Sequence, residues 1–357
     1  MAELDLRSDV VDLAASLCDI PSESGAEAEL ADAIEAALRA IPHLTVDRDG
    51  DAVVARTMGA RARRVAIAGH IDTVPITDNV PSRRERVAGV DTLVGRGAVD
   101  MKGGVAVQLV LAAALAAPAA DVTWIFYDQE EVESARNGLG RLARNRPELL
   151  AADFAILGEP TNAVVEGGCN GTLRARLRWH GVRAHSARPW AGQNAIHAVA
   201  PALATLAAWS PEDVEVDGLV YRESLGAVGV TGGVAGNVIP DLAELTVNYR
   251  FAPSRSGDEA VERVRALFPD AELVVDDLAP GARPGLDAPL AREFLAAVGD
   301  TAQPKYGWTD VARFSALGIP AVNYGPGDPA RAHTDDESVA VDQIRACERG
   351  LRAWLAS

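Results

Sequence analysis

Three apolar runs of this chain end in residues able to bind a metal or move a proton: Gly69-His70-Ile71-Asp72, Asp128-Gln129-Glu130-Glu131 and Gly158-Glu159-Pro160. Two further groups join them, Asp100 in Gly97-Ala-Val-Asp100-Met-Lys-Gly-Gly104 and His333 in Gly325-Pro-Gly-Asp-Pro-Ala-Arg-Ala-His333-Thr-Asp-Asp-Glu337. A single tetrahedral zinc takes three or four ligands, and His70, His333, Asp100, Glu130, Glu131 and Glu159 offer too many carboxylates for one ion. Two ions about 3.5–4 Å apart use such a set better. They need a bridging carboxylate, terminal histidine and carboxylate ligands, and a free carboxylate to take a proton from water. Adjacent side chains on a loop diverge, so Glu130 and Glu131 can divide the last two tasks. Asp72, two residues after His70, is placed to fix the imidazole tautomer from behind. Each piece alone has an ordinary reading: Asp100 with Lys102 as a surface pair, Glu159-Pro160 as a turn, His333 as an exposed loop histidine. Their joint occurrence points to chemistry.

These groups need a scaffold that converges them. Val65-Ala-Ile-Ala, Val122-Thr-Trp-Ile-Phe-Tyr and Phe154-Ala-Ile-Leu are apolar at every position, as strands buried on both faces are. Helical stretches at 103–117 and 137–144 lie between them, which predicts a helix-flanked, largely parallel sheet. In open α/β sheets the ligand crevice lies at the carboxyl ends of the strands, where the motifs stand. Upstream, Ser8 is placed to cap a helix running through Cys18, and a second helix is expected over 26–40 before Pro42. From Thr172 the pattern changes: Leu173, Ala175, Leu177 and Trp179 alternate with Arg174, Arg176, Arg178 and His180, the mark of a strand with one wet face. Leu245, Val247, Tyr249 and Phe251 repeat the alternation, with helix-like segments at 193–208 and 256–268. An α+β domain over 173–285 is therefore expected as an insertion between 1–172 and 286–357, with Pro280-Gly-Ala-Arg-Pro-Gly285 as a linker. A short strand at Ala321-Val-Asn-Tyr and a last helix from Val341 finish the chain.

Composition narrows the partners. The 357 residues carry 51 acidic and 34 basic side chains, a net charge of −17, which argues against nucleic-acid binding. Arg61, Arg63, Arg64 and Arg83, Arg84, Arg86 read as solvated loops. Chain length favours two domains, since single cores stop growing near roughly 250–300 residues. Cys18, Cys169 and Cys347, odd in number and widely spaced, suit neither a disulfide framework nor a cysteine-rich zinc site, and a reducing compartment follows. The acidic start is unlike a signal peptide, which predicts a cytoplasmic protein. The most apolar stretch, Gly103 to Ala120, includes Gln108 and Pro118 and is read as a buried helix, with no membrane association expected.

In order and approximate spacing, His70-Ile-Asp72-Thr-Val-Pro, Gly95-Arg-Gly-Ala-Val-Asp100-Met-Lys-Gly-Gly104, Asp128-Gln-Glu130-Glu131, Gly158-Glu159-Pro160 and the late His333 resemble the motifs of a two-zinc aminoacylase and carboxypeptidase family. That family includes acetylornithine deacetylase and succinyl-diaminopimelate desuccinylase. The resemblance covers essentially the whole chain. It implies a catalytic domain with a zinc-exopeptidase-like sheet, interrupted by a ferredoxin-like lid that forms a homodimer. It further implies two Zn2+ per subunit, with Co2+ or Mn2+ as substitutes. Asp100 would bridge them, His70 and Glu159 would complete one site, and Glu131 and His333 the other, with Glu130 as general base and acid. His185, in Gly181-Val-Arg-Ala-His185-Ser-Ala-Arg-Pro189, matches the lid histidine that reaches the partner subunit's site to stabilise an oxyanion. Asn237, Arg250, Thr309 and Arg313 match positions that contact substrate. The wording of Gly307-Trp-Thr309-Asp-Val-Ala-Arg313-Phe and of Glu166-Gly-Gly-Cys169-Asn-Gly-Thr172 is most like the desuccinylase branch of Gram-positive high-GC bacteria. The Gram-negative branch has Arg-Arg-Gly-Ser where this chain has Cys169-Asn-Gly-Thr172, which leaves carboxylate recognition to Arg183, Arg188, Arg250 or Arg313. The expected reaction is hydrolysis of an N-acyl amino acid. Acetylornithine deacetylase or a small-peptide carboxypeptidase is the alternative within the family, and a non-catalytic metal- or ligand-binding protein is the alternative outside it.

Overall fold

A computed structural model describes residues 3–299 and 301–357, so Met1 and Ala2 of the acidic start lie outside the described residues. Its contacts divide the chain into two compact units, Met1–Gly167 with Pro284–Gln303 and Arg313–Ser357, and Gly168–Arg283 with Pro304–Ala312. Pro304–Ala312, expected in the larger unit, groups with the smaller: the Asn170 N–H donates to Lys305 O, and Cys169 Sγ lies 3.7 Å from Thr309 O.

The larger unit is built on an eight-stranded sheet in the order Leu44–Asp49, Ala52–Thr57, Asp121–Tyr127, Arg64–His70, Phe154–Leu157, Ala321–Asn323, Val165–Gly167, Ala302–Pro304. The central four strands run parallel, Arg64–His70 between Asp121–Tyr127 and Phe154–Leu157, with Ala321–Asn323 outside. The Leu44–Thr57 hairpin adds an antiparallel edge. The central apolar runs are buried throughout, as strands covered on both faces must be. The helix Lys102–Ala114 is buried from Lys102 to Ala112, and Val10–Cys18, Ala28–Arg39, Pro289–Val298 and Val341–Ala356 complete the core. At Gly104 a Cβ would fall 2.2 Å from Gly158 O. Only glycine lets this helix begin against the end of the Phe154–Leu157 strand.

Two local expectations are corrected. The cap of Val10–Cys18 is Asp9, whose carboxylate accepts the Val11 N–H, while the Ser8 hydroxyl donates back to Asp5 O. Arg83, Arg84 and Arg86 lie on a strand rather than a loop: Arg83–Val87 pairs with Val90–Val94, which pairs with Ser338–Ala340. The turn between them places Ala88 at φ 50° and Gly89 at φ 86°, the positive values a two-residue hairpin requires. Ala-Gly lacks the Asn or Asp that usually announces that turn. The arginines are solvated as expected, Arg84 pairing with Asp91 and Arg83 with Glu85.

The smaller unit is a five-stranded antiparallel sheet ordered Glu212–Val216, Leu219–Gly232, Leu242–Phe251, Gly171–His180, Glu272–Ala279. Without the Glu212–Val216 edge, the chain order strand-helix-strand-strand-helix-strand and spatial order fourth-first-third-second are ferredoxin-like. Helices Ala195–Ala207 and Gly257–Leu267 cover one face. There Leu173, Ala175, Leu177, Leu245, Val247, Tyr249 and Phe251 pack against Val199, Ala202, Ala260 and Val264. The opposite face carries Arg174, Arg176 and Arg178, as the alternation requires. No helix among the described residues is long and apolar enough to cross a membrane.

Candidate metal centre

Strand register sets the distances. His70 closes its strand opposite Tyr127, and Ala68 stands opposite Leu157 on the other side. The residues just beyond Tyr127 and Leu157, Glu130-Glu131 and Glu159, therefore leave the sheet at the same edge as His70-Ile-Asp72. Asp100 arrives from the turn before the Lys102–Ala114 helix, through a cis Asp100–Met101 peptide. His333 comes from a loop near the chain end with φ at 64°.

His70 Nε2 lies 2.9 Å from Asp100 Oδ1, and His333 Nε2 lies 3.4 Å from Asp100 Oδ2 and 2.9 Å from Glu131 Oε1. Donor atoms of His70, Asp100 and Glu131 fall within 4.8 Å of one another, a set that can hold a metal ion. The two oxygens of Asp100 face different histidines, as a carboxylate shared between two sites would. Asp72 works from behind. Its main-chain oxygen lies 3.0 Å from His70 Nδ1, which assigns the ring proton to Nδ1 and leaves Nε2 as the lone-pair donor. Its carboxylate accepts the N–H groups of Glu130 and Glu131 and the Ser24 hydroxyl, so one residue orients the His70 ring through its main-chain oxygen and the Glu130-Glu131 backbone through its side chain.

The electrostatics fit a cation. Burial opposes charge on Asp100, yet the two histidines hold its carboxyl well below the usual range. Burial likewise works against Asp72, but His70, Ser24 and the Glu130 N–H bring its carboxyl down. Asp100 and then Glu131 push the His333 imidazole up to about 10. Carboxylates gathered about two imidazoles in this way form a donor set that a divalent ion would take up. Glu159 is buried at the end of its strand, where a Cβ on Gly325 would fall 2.5 Å from its main-chain oxygen.

A family model described as Peptidase family M20/M25/M40 matches residues 66–357. The chain belongs to that family. It is 48% identical over 364 residues to succinyl-diaminopimelate desuccinylase of Corynebacterium glutamicum, an alignment covering 99% of this chain and 98% of the relative. It is 55% identical over 355 residues, 99% of both chains, to a Mycobacterium tuberculosis (strain H37Rv) protein that carries the provisional name succinyl-diaminopimelate desuccinylase DapE. The fold matches the Bacillus subtilis protein YXEP, described as a dinuclear metal binding peptidase of the M20 family, at TM-score 0.74 and 16% identity, over 98% of each chain.

The smaller unit of this M20 chain holds three of the expected substrate-side residues close to its strand pairings. His185 stands on the two-residue strand Ala184–His185, which pairs with Val238–Ile239, and the Ser186 N–H donates to Asn237 O. His185 Nδ1 accepts the Ala187 N–H, which leaves the neutral ring with its proton on Nε2. Arg250 is half-buried opposite Thr172, and burial lowers its affinity for the proton. Thr309 is buried in the Pro304–Ala312 segment of the same unit. Arg313 belongs to the larger unit, where Nη2 donates to Ser134 Oγ at 3.0 Å, three residues beyond Glu131.

Sequence reasoning missed several groups behind the centre. Lys102 is no surface partner of Asp100; it is 1% exposed, its Nζ donates to Ile20 O, and burial lowers its pKa to about 8. Glu27 is buried, and its carboxylate accepts the N–H groups of Gly25 and Gln129 on the approach to Glu130. Arg96 and Glu337 form a buried ion pair at 2.8 Å. Both residues stand inside quoted motifs, so an acid or base adjoining a ligand but unassigned by the chemistry was the available signal.

Proposed function

We propose that the chain is a two-zinc amide hydrolase that converts N-succinyl-L,L-2,6-diaminopimelate and water to succinate and L,L-2,6-diaminopimelate, in lysine and cell-wall precursor synthesis. The full-length 48% identity to the Corynebacterium desuccinylase carries this reading. Asp100 would be shared between the ions, with His70 and Glu159 completing one site and Glu131 and His333 the other; the division of its two oxygens between the histidines supports that assignment. Co2+ or Mn2+ are the expected substitutes for Zn2+.

Bound zinc supplies Lewis acidity toward the amide carbonyl and acidifies water near neutral pH. The chain's own groups do the rest. Glu130 takes the water proton and returns it to the leaving amine, and the Asp72 carboxylate fixes its backbone for that task. His185 donates from Nε2 to the developing oxyanion, consistent with the tautomer set by Ala187. Asn237, Arg250, Thr309 and Arg313 read the substrate carboxylates.

We place the molecule in the cytoplasm as a homodimer joined through the smaller unit. Support comes from its solvent-facing Ile196, Leu203, Val228, Val230 and Leu242, apolar side chains that a second copy would cover. Light scattering of the purified chain reads the assembly directly.

The deciding experiment is the ratio of kcat/KM on N-succinyl-L,L-diaminopimelate to that on N-acetyl-L-ornithine, with zinc-loaded protein. A site that pairs the succinyl carboxylate rejects the analogue lacking it by about 10⁴-fold, because its buried donors would be left unmatched. Preference for acetylornithine, or hydrolysis of small peptides alone, would keep the M20 hydrolase and discard the desuccinylase.

A further inference from the structure

We propose that Arg96 and Glu337 act as a positioning pair that sets the spacing of the metal ligands by fastening three ligand-bearing loops to one buried ion pair. The proposal rests on the metal centre described above, and neither side chain is among those assigned to the ions or the substrate. Both are almost wholly buried, 2% exposed at Arg96 and 1% at Glu337.

Each partner does more than neutralise the other. Glu337 Oε1 accepts the N–H groups of Val99 at 3.0 Å and Asp100 at 3.1 Å, so it grips the backbone that carries the Asp100 carboxylate. Its Oε2 accepts from Arg96 Nη1 at 2.8 Å. The Arg96 fork then reaches the other two loops. Nη1 donates to Thr334 O, next to His333, while Nε donates to Pro75 O and Nη2 to Thr77 Oγ1, on the segment that follows His70 and Asp72. The Gly95 N–H donates to Glu337 O, which closes the connection.

Arg96 and Glu337 are 241 residues apart, and the His333 loop approaches the Asp100 turn from a distant part of the chain. The ladder of Ser338–Ala340 on Val90–Val94 ends just short of these segments, and beyond it the loop that carries His333, with its left-handed backbone that few L side chains adopt, needs a further tie. A buried ion pair whose other contacts go to backbone groups and the Thr77 hydroxyl supplies the constraint. The planar fork is essential to it, because donors aimed at fixed angles hold the 75–77 and 334–337 segments against the turn that carries Arg96 itself, and a lysine ammonium cannot.

The test is metal affinity, read apart from turnover. The unmodified protein, Arg96→Lys, Glu337→Gln and the control Glu223→Gln are titrated with Zn2+ against a competing chelator and with Co2+ by visible absorption. Glu223 is an equally buried acid in the smaller unit, bonded to Tyr249 Oη, the Ala252 N–H and Arg255. Arg96→Lys and Glu337→Gln are expected to weaken binding 10–100-fold and to alter the Co2+ spectrum, while Glu223→Gln lowers melting temperature to a comparable extent with affinity unchanged. Where Glu337→Gln fails to fold, Arg96→Lys, which keeps the charge, decides alone. Native affinity and an unchanged Co2+ spectrum in Arg96→Lys would overturn the pair's role and leave the metal centre standing. Absence of metal uptake by the unmodified protein would overturn both.

Discussion

The outer face of the smaller unit's sheet and the strand ends of the larger unit both collect charge, and they resolve it in opposite ways. On the sheet face acids meet bases: Arg176 pairs with Asp276 and Glu244, Arg178 with Glu244, and His180 with Glu272, all open to solvent or partly so. At the strand ends Asp72, Asp100 and Glu131 are held by backbone N–H groups, the Ser24 hydroxyl and two imidazoles. Matched charge on a wet surface is typically worth about 0–1 kcal/mol per pair. Gathering carboxylates under partial burial is costly by itself, and backbone donors that aim them without cancelling their charge leave the place for a cation. Pairing, more than the density of charge, separates a solvated face from a site.

Five measurements test that contrast. The largest effect belongs to Glu130→Gln, expected to lower kcat by about 10²–10⁴-fold with metal content unchanged; loss of the metal instead would make Glu130 a ligand. His185→Ala should follow, costing about 10²–10³-fold in kcat at full zinc occupancy, and unaltered turnover would remove this histidine from the oxyanion. Asp72→Ala, which frees the Glu130-Glu131 backbone and removes the carboxylate oxygen 3.4 Å from His70 Nδ1, should reduce metal affinity about 10–100-fold in a chelator competition.

The remaining two concern the smaller unit, where charge is structural. Glu223→Gln should destabilise by about 1–3 kcal/mol in urea melts, because the Arg255 partner loses its anion. Burial alone would raise the Glu223 pKa, but the Tyr249 hydroxyl, the Ala252 N–H and Arg255 bring it below the ordinary value. Its contribution is therefore fully present above the ordinary glutamate pKa and disappears as pH falls through the lower folded one. The Gln variant should lose that acid-side slope, and a slope identical to the parent's would show that Glu223 does not carry it. Arg176→Ala, on the wet face, should shift stability by only about 0.2–1 kcal/mol and leave catalysis untouched.

Motifs at strand ends were legible because a parallel sheet imposes them: runs apolar at every position mark strands buried on both faces, and the polar residues after them must emerge at one edge. Alternation from Leu173 to Trp179 was legible for a related reason, since a strand with one wet face writes its period directly into the chain. The hairpin at Ala88-Gly89 was not, because its positive φ values come without the usual turn residues. Nor could pattern reveal that Lys102 is buried, as lysine beside aspartate reads the same at a surface and in a core.

By itself, then, the sequence determined the donor types, their order and the two kinds of sheet that carry them, since each depends on residues near in the chain. Tertiary structure decided which oxygen of Asp100 faces which histidine, that Asp72 serves His70 and the Glu130-Glu131 backbone at once, and that Glu337 reaches back to Asp100. Those contacts join segments as many as 237 residues apart, and their geometry follows from strand register and buried packing, which no local pattern encodes.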